Sequence, residues 1–130
     1  NIPVMGHLGV LPQSAKNFKF KGKKASEHKI MLNEAKLLES AGAFSMVLEC
    51  VESSLAKKIT KNISIPTIGI GASANCDGQV LVTDDLIGLN PISVRFVKKY
   101  SNIRNEIVKA VSNYSKDVKK KKFPSKKQSY

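Results

Sequence analysis

The stretch AFSMVLECV, residues 43–51, decides the fold. Phe44, Met46, Val47, Leu48, Cys50 and Val51 form an apolar run of strand length, which reads as a buried strand. One residue breaks the run. Glu49 is a carboxylate, and taking a carboxylate out of water is costly unless a partner or a function holds it there. Near the end of a hydrophobic strand it needs an explanation.

Outward from this strand, the neighbouring segments alternate in period. Residues 26–41 read as a helix with Met31, Ala35 and Leu38 on one stripe, flanked by Leu37 and Ala41. Ser26 is the expected start cap and Gly42 the expected stop. After the strand, Ser53 or Ser54 opens a short helix to about residue 61, with Leu55, Ala56 and Ile59 facing inward. IPTIGIGA, residues 65–72, is a further buried strand whose Pro66 sits where proline is tolerated. IPVMGHLGV, residues 2–10, is a first strand containing Gly6 and Gly9, and a polar connection follows it with an extended piece at 18–20. QVLVTDDLIG, residues 79–88, is expected to be a fourth strand or one running into a loop. From Pro91 onward, Val97, Tyr100, Ile103, Ile107, Val111, Tyr114 and Val118 step by three or four and predict a long helix over 91–119. A basic tail occupies 120–130. This alternation is α/β and implies a parallel sheet covered on both faces. Two architectures fit it: an open doubly wound sheet, or half of a (β/α)8 barrel, which takes about 250 residues when whole.

Composition limits the function classes. No apolar run is long enough to span a membrane, and no signal peptide is visible, so the chain is expected to be cytoplasmic. It opens on Asn1 and runs at once into strand, which reads as part of something longer. Cys50 and Cys76 fit no metal spacing and are expected to be free buried thiols. Net charge is +12, and residues 116–130 carry seven lysines against one acid. KKKKF, residues 119–123, lacks the aromatic interleaving of a base-stacking surface, so nucleic acid is not the expected partner.

The candidate chemistry sits at strand ends. In α/β sheets and barrels the carboxyl edge is where ligands bind. His7 and Glu49 each lie near such an end, and a carboxylate there suits general-base work. GIGAS, residues 69–73, lacks the third glycine of a dinucleotide fingerprint. Its small residues instead let backbone approach a ligand or another strand. Asp84 and Asp85 read as capping or loop residues.

These residues resemble a known family. PVMGHLGVLPQS (3–14), GAFSMVLECV (42–51), IPTIGIGASANCDGQVLV (65–82) and RFVKKY (95–100) are similar, in order and spacing, to the ketopantoate hydroxymethyltransferases of vitamin B5 (pantothenate) synthesis. The resemblance covers the carboxyl-terminal half of that family's usual chain. It implies a (β/α)8 TIM barrel of which residues 1–130 are the last four βα units, within one domain. It implies hydroxymethyl transfer from 5,10-methylenetetrahydrofolate to 3-methyl-2-oxobutanoate, giving 2-dehydropantoate, with Mg2+ as cofactor and a homo-oligomer, often a decamer. Glu49 matches the family's proton acceptor, His7 a histidine lining the keto-acid site, and Gly69 and Gly71 the glycine-rich strand end near the ligands. The family's Mg2+ ligands belong to its other half, so no metal ligand is assigned in this chain, and the chain alone is expected to be inactive. The KQSY terminus (127–130) and Ser73 depart from the family pattern. Two alternatives stand beside this reading: another 2-oxo-acid carbon–carbon bond enzyme of the same barrel superfamily, or a basic nucleic-acid-binding fragment.

Overall fold

A computed structural model describes residues 2–13, 19–92 and 94–130. They form two compact units, Asn1–Leu81 and Val82–Tyr130.

The first unit holds a four-stranded sheet, all parallel, in the order β1-β2-β3-β4. The strands are β1 (Met5–Gly9), β2 (Ser45–Glu49), β3 (Thr67–Ile70) and β4 (Gly78–Gln79). Helix α1 (Ala25–Ser40) joins β1 to β2, and α2 (Ser53–Asn62) joins β2 to β3. Met46 and Leu48 of β2 share one face and are fully buried. They pack with Met31 and Ala35 of α1 and with Leu55, Ala56 and Ile59 of α2. Both helices therefore cover the same face of the sheet. This corrects the expectation of cover on both faces: strands wound in sequence with crossovers of one hand put their helices on one side. The opposite face carries His7, Val47, Glu49, Ile68 and Ile70, each only partly buried.

The helix ends follow backbone accounting, with different caps from those expected. Helix α1 starts one residue before Ser26. Glu27 closes its first turn by accepting from the Gly22 and Lys24 amides at 2.9 and 3.3 Å. Its stop is as expected. Gly42, with φ +91°, donates to the Glu39 carbonyl at 2.9 Å while Ala43 donates to Leu38 at 3.1 Å, the paired bonds of a Schellman ending. Helix α2 is capped by Glu52, whose carboxylate accepts from the Leu55 amide at 3.0 Å, and not by Ser53 or Ser54.

Strand β4 is shorter than the segment expected, because β3 ends at Ile70 and offers β4 only the pairs Ile68–Gly78 and Gly69–Gln79. Below the sheet, Asp77 accepts from the Thr67 amide at 2.8 Å and from its hydroxyl at 3.0 Å, and Thr60 reaches the same hydroxyl at 2.9 Å. This network ties α2 to the amino end of β3. Of the extended piece expected at 18–20, Phe18 lies outside the described residues and Lys19 and Phe20 have no regular structure.

In the second unit, α3 (Thr83–Leu86) and α4 (Ile103–Lys119) are the helices described. The helix expected from residue 91 begins at Ile103. Tyr100 donates its amide to Leu86 at 2.8 Å and Ile103 to Ile87 at 3.1 Å, so long-range backbone bonds hold the preceding segment out of the helix. No residue of α4 is buried.

Candidate active site

Glu49 is the last residue of β2, and the strand register explains its surroundings. Gly9 pairs with Glu49 and His7 with Val47, so His7 and Glu49 are diagonal neighbours on the helix-free face. His7 Nε2 lies 3.4 Å from Glu49 Oε2. The Glu49 side chain is 13 % exposed and that of His7 31 %, so the pair is reachable from solvent yet largely screened. His7 Nε2 also lies 3.0 Å from the Val10 carbonyl oxygen. A carbonyl only accepts, so this nitrogen carries the proton and donates. Val47, Ile68 and Ile70 give the same face an apolar lining.

The backbone around Glu49 is tightly held. Val10 donates its amide to the Glu49 carbonyl at 2.9 Å. Gly9, with φ +105°, passes so close that a Cβ there would strike that carbonyl oxygen. Glycine is required by both the conformation and the space. The next residue, Cys50, has φ +50°. Its amide donates to Ile70 at 2.9 Å, and its carbonyl accepts from Lys21 at 2.8 Å. Burial, and then the Glu49 charge beside it, push the Cys50 thiol pKa up, so the thiol stays protonated. Cys50 and Cys76 are both free and buried, as expected.

The structure separates the two candidate glycines. Gly71 is exposed one residue past β3, at the same edge as Glu49. Gly69 faces the other way: a Cβ on it would meet the Gln79 side chain at 2.9 Å and Cys76 Sγ at 3.1 Å. Its missing side chain makes room for β4, not for a ligand beside Glu49. Asp84 and Asp85 stand in the first turn of α3, whose start carries no side-chain cap bond; Asp85 accepts from Asn90 Nδ2 at 2.8 Å, a loop hydrogen bond in place of the cap expected. Sequence reading passed over Gly9 and the backbone of Cys50. A glycine at a strand end is a signal of close backbone approach, but nothing in the residue type marks Cys50.

Other features lie apart from the pair. A cavity of about 240 Å3 is lined by Gly9, Lys21, Glu27, Ile30, Met31 and Glu34, and neither His7 nor Glu49 borders it. Among the described residues, no three His, Cys, Asp or Glu side chains gather to hold a metal ion, and no helix is long and apolar enough to cross a membrane.

Comparison with known proteins bears on this geometry. The family model for ketopantoate hydroxymethyltransferase matches residues 1–126. The chain is 70% identical over 129 residues to the 3-methyl-2-oxobutanoate hydroxymethyltransferase of Pelagibacter ubique, covering 99% of this chain and 50% of that protein. It is 51% identical over 126 residues to the enzyme of the same name from Phenylobacterium zucineum, covering 95% and 46%. With Pseudothermotoga lettingae the identity is 53% over 127 residues, covering 95% and 48%. The chain thus spans about half the length of the curated relatives it matches. A match along nearly its whole length shows that the chain belongs to the ketopantoate hydroxymethyltransferase family.

Proposed function

We propose that this chain is the carboxyl-terminal half of a (β/α)8 barrel enzyme. The enzyme would transfer a hydroxymethyl group from 5,10-methylenetetrahydrofolate to 3-methyl-2-oxobutanoate, giving 2-dehydropantoate for pantothenate synthesis. The barrel reading is supported by a sheet whose strands follow chain order, without the reversal of a doubly wound sheet. Helices on one face leave the other to serve as barrel interior. The relatives that the chain matches are named for hydroxymethyl transfer to 3-methyl-2-oxobutanoate, and the folate donor and 2-dehydropantoate product follow from the family resemblance.

The observation that carries the mechanism is Glu49 at the carboxyl end of β2, on the helix-free face and 3.4 Å from His7. Glu49 is the general base. Its carboxylate takes the proton from carbon 3 of the 2-oxo acid, and the electron pair delocalises into the adjacent carbonyl. Water adds to the folate's methylene carbon, that carbon's two bonds to folate nitrogens break, and tetrahydrofolate leaves, freeing the one-carbon unit at the aldehyde level. Carbon 3 attacks that carbon, and its oxygen takes back the proton held by Glu49 to become the hydroxyl. His7, fixed through Nε2 by the Val10 carbonyl, lines the keto-acid site and limits how Glu49 can swing. Val47, Ile68 and Ile70 fit the branched carbon chain of the substrate. Gly71 borders the mouth of the site. Gly69 acts through packing.

The Mg2+ that the resemblance implies finds no cluster of three His, Cys, Asp or Glu side chains among the described residues. Residues 1–130 are expected to be inactive by themselves, and assembly into a homo-oligomer belongs to the same proposal. Glu49→Gln in the full-length enzyme tests the base. Exchange of the carbon-3 proton with deuterated water should fall by roughly 100-fold or more. Exchange at the native rate would remove Glu49 from that role.

A further inference from the structure

Four residues lie in one row across the helix-free face of the sheet. The register pairs His7 with Val47, Val47 with Ile68, and Ile68 with Gly78. Glu49 stands on the same face two residues further along β2, about 7 Å toward the carboxyl end. The row is therefore the floor beneath the carboxylate. His7 rises from it to meet Glu49, and Val47 and Ile68 make up its apolar part. At β4 the row ends in a residue with no side chain.

The backbone does not demand glycine there. Gly78 lies outside the left-handed region that Gly9 and Gly71 occupy, so other residues could adopt its conformation. Space demands it. A Cβ at this position would stand 2.9 Å from Ile68 Cδ1, closer than two carbons approach, and among the described residues it would meet no other atom within 4 Å. The Ile68 side chain thus lies over Gly78, leaning toward β4 and away from the His7–Glu49 pair.

We infer that Gly78 sets the width of the keto-acid site: by leaving room for Ile68 to lie over β4, it keeps the floor under Glu49 open for the branched end of the 2-oxo acid. This rests on the reading of that face as the keto-acid site. Cδ1 is the far end of a side chain with staggered alternatives, so a methyl group at position 78 turns Ile68 to another rotamer before it parts the strands. Turned off β4, Ile68 stands where the methyl groups of the substrate would lie. Gly78 touches no reacting atom; it determines specificity through Ile68.

Variants of the full-length enzyme test this. Two ligands, 3-methyl-2-oxobutanoate and 2-oxobutanoate, which lacks one methyl group, are compared by calorimetry and by turnover. Gly78→Ala should raise Kd and KM for 3-methyl-2-oxobutanoate by roughly tenfold, but those for 2-oxobutanoate by no more than about threefold. Because Glu49 and His7 keep their places, kcat should stay within about threefold. Ile68→Val removes the carbon that Gly78 accommodates. Added to Gly78→Ala, it should bring Kd back to within about threefold of the native value, a coupling that general damage to β4 would not produce. Ile68→Val alone should favour 3-methyl-2-oxopentanoate, one methylene longer, raising its kcat/KM relative to 3-methyl-2-oxobutanoate by roughly tenfold.

Equal losses for both acids in Gly78→Ala would overturn the inference. So would a double variant that binds no better than Gly78→Ala. If Gly78→Ala does not fold, an unchanged preference in Ile68→Val overturns it instead. A native enzyme that binds neither acid would remove the keto-acid reading and the inference with it. Native proton exchange in Glu49→Gln would remove only the base, and the Kd comparison would still decide the role of Gly78.

Discussion

The two units of this chain differ in what they do with their apolar residues. In Asn1–Leu81, Met46, Leu48, Leu55 and Ile59 are wholly shielded between the sheet and two helices. In Val82–Tyr130, Ile107, Val111, Tyr114 and Val118 of α4 follow the same helical spacing yet remain 43–60 % exposed. All the buried hydrophobic side chains among the described residues belong to the first unit. Periodicity therefore marks a face that could be buried, and only a partner surface makes it a core. The first unit has both sheet and helices with which to build one; α4 buries no residue, and Tyr114 on it meets Phe123 edge to face with ring centroids 5.4 Å apart.

The comparison can be broken by substitution, and the largest effect belongs to the first core. Leu55→Ala removes a fully buried side chain between α2 and the sheet. It should lower stability by about 2–5 kcal/mol, read from the urea midpoint of the protein. A loss below about 1 kcal/mol, by the same order-of-magnitude scale, would mean that this core collapses around the cavity.

The polar network under the sheet comes next. Asp77→Ala leaves the fully buried Thr67 without its carboxylate partner and should cost about 1–2 kcal/mol. It also has a pH signature. The Thr67 amide and hydroxyl hold Asp77 below its ordinary carboxyl range. A depressed folded pKa stabilises the fold fully above the unfolded value, and that contribution is lost as pH falls through the folded value. Acid titration of the urea midpoint should therefore drop below about pH 4 in the native protein and flatten in Asp77→Ala. Equal slopes in both would assign the acid sensitivity elsewhere.

The smallest effect is expected on α4. Val111→Ser on its exposed stripe should change stability by about 0.5 kcal/mol or less. A larger loss would show that this stripe is covered in solution and would erase the contrast between the units.

Much of the first unit was legible from sequence because its signals are local. The Met31–Ala35–Leu38 stripe, the Leu55, Ala56 and Ile59 stripe, the stop at Gly42 and the continuous apolar strand at 43–51 each follow from neighbours three, four or two residues apart. The errors arose where distant backbone groups compete. Tyr100 and Ile103 donate to Leu86 and Ile87, so a periodic segment stays out of the helix. Glu27 and Glu52 outcompete serines as caps because a carboxylate is the stronger acceptor for amide donors. Gly69 was placed near the ligands through the family resemblance alone; strand alternation says that Gly69 and Ile70 face opposite ways, but not which face carries the helices.

The helix α3 within residues 79–88 was not legible in the sequence. What the sequence determined by itself was the order β1, α1, β2, α2, β3 and the parallel sheet, the family, and Glu49 as an acid in an apolar strand. Those depend on residue types and short spacings. The tertiary structure decided the rest: that His7 and Glu49 meet, that Gly69 turns away, and that Cys50 is held in a left-handed turn. Each of these depends on the register between β1, β2 and β3, which is set by contacts between residues far apart in the chain.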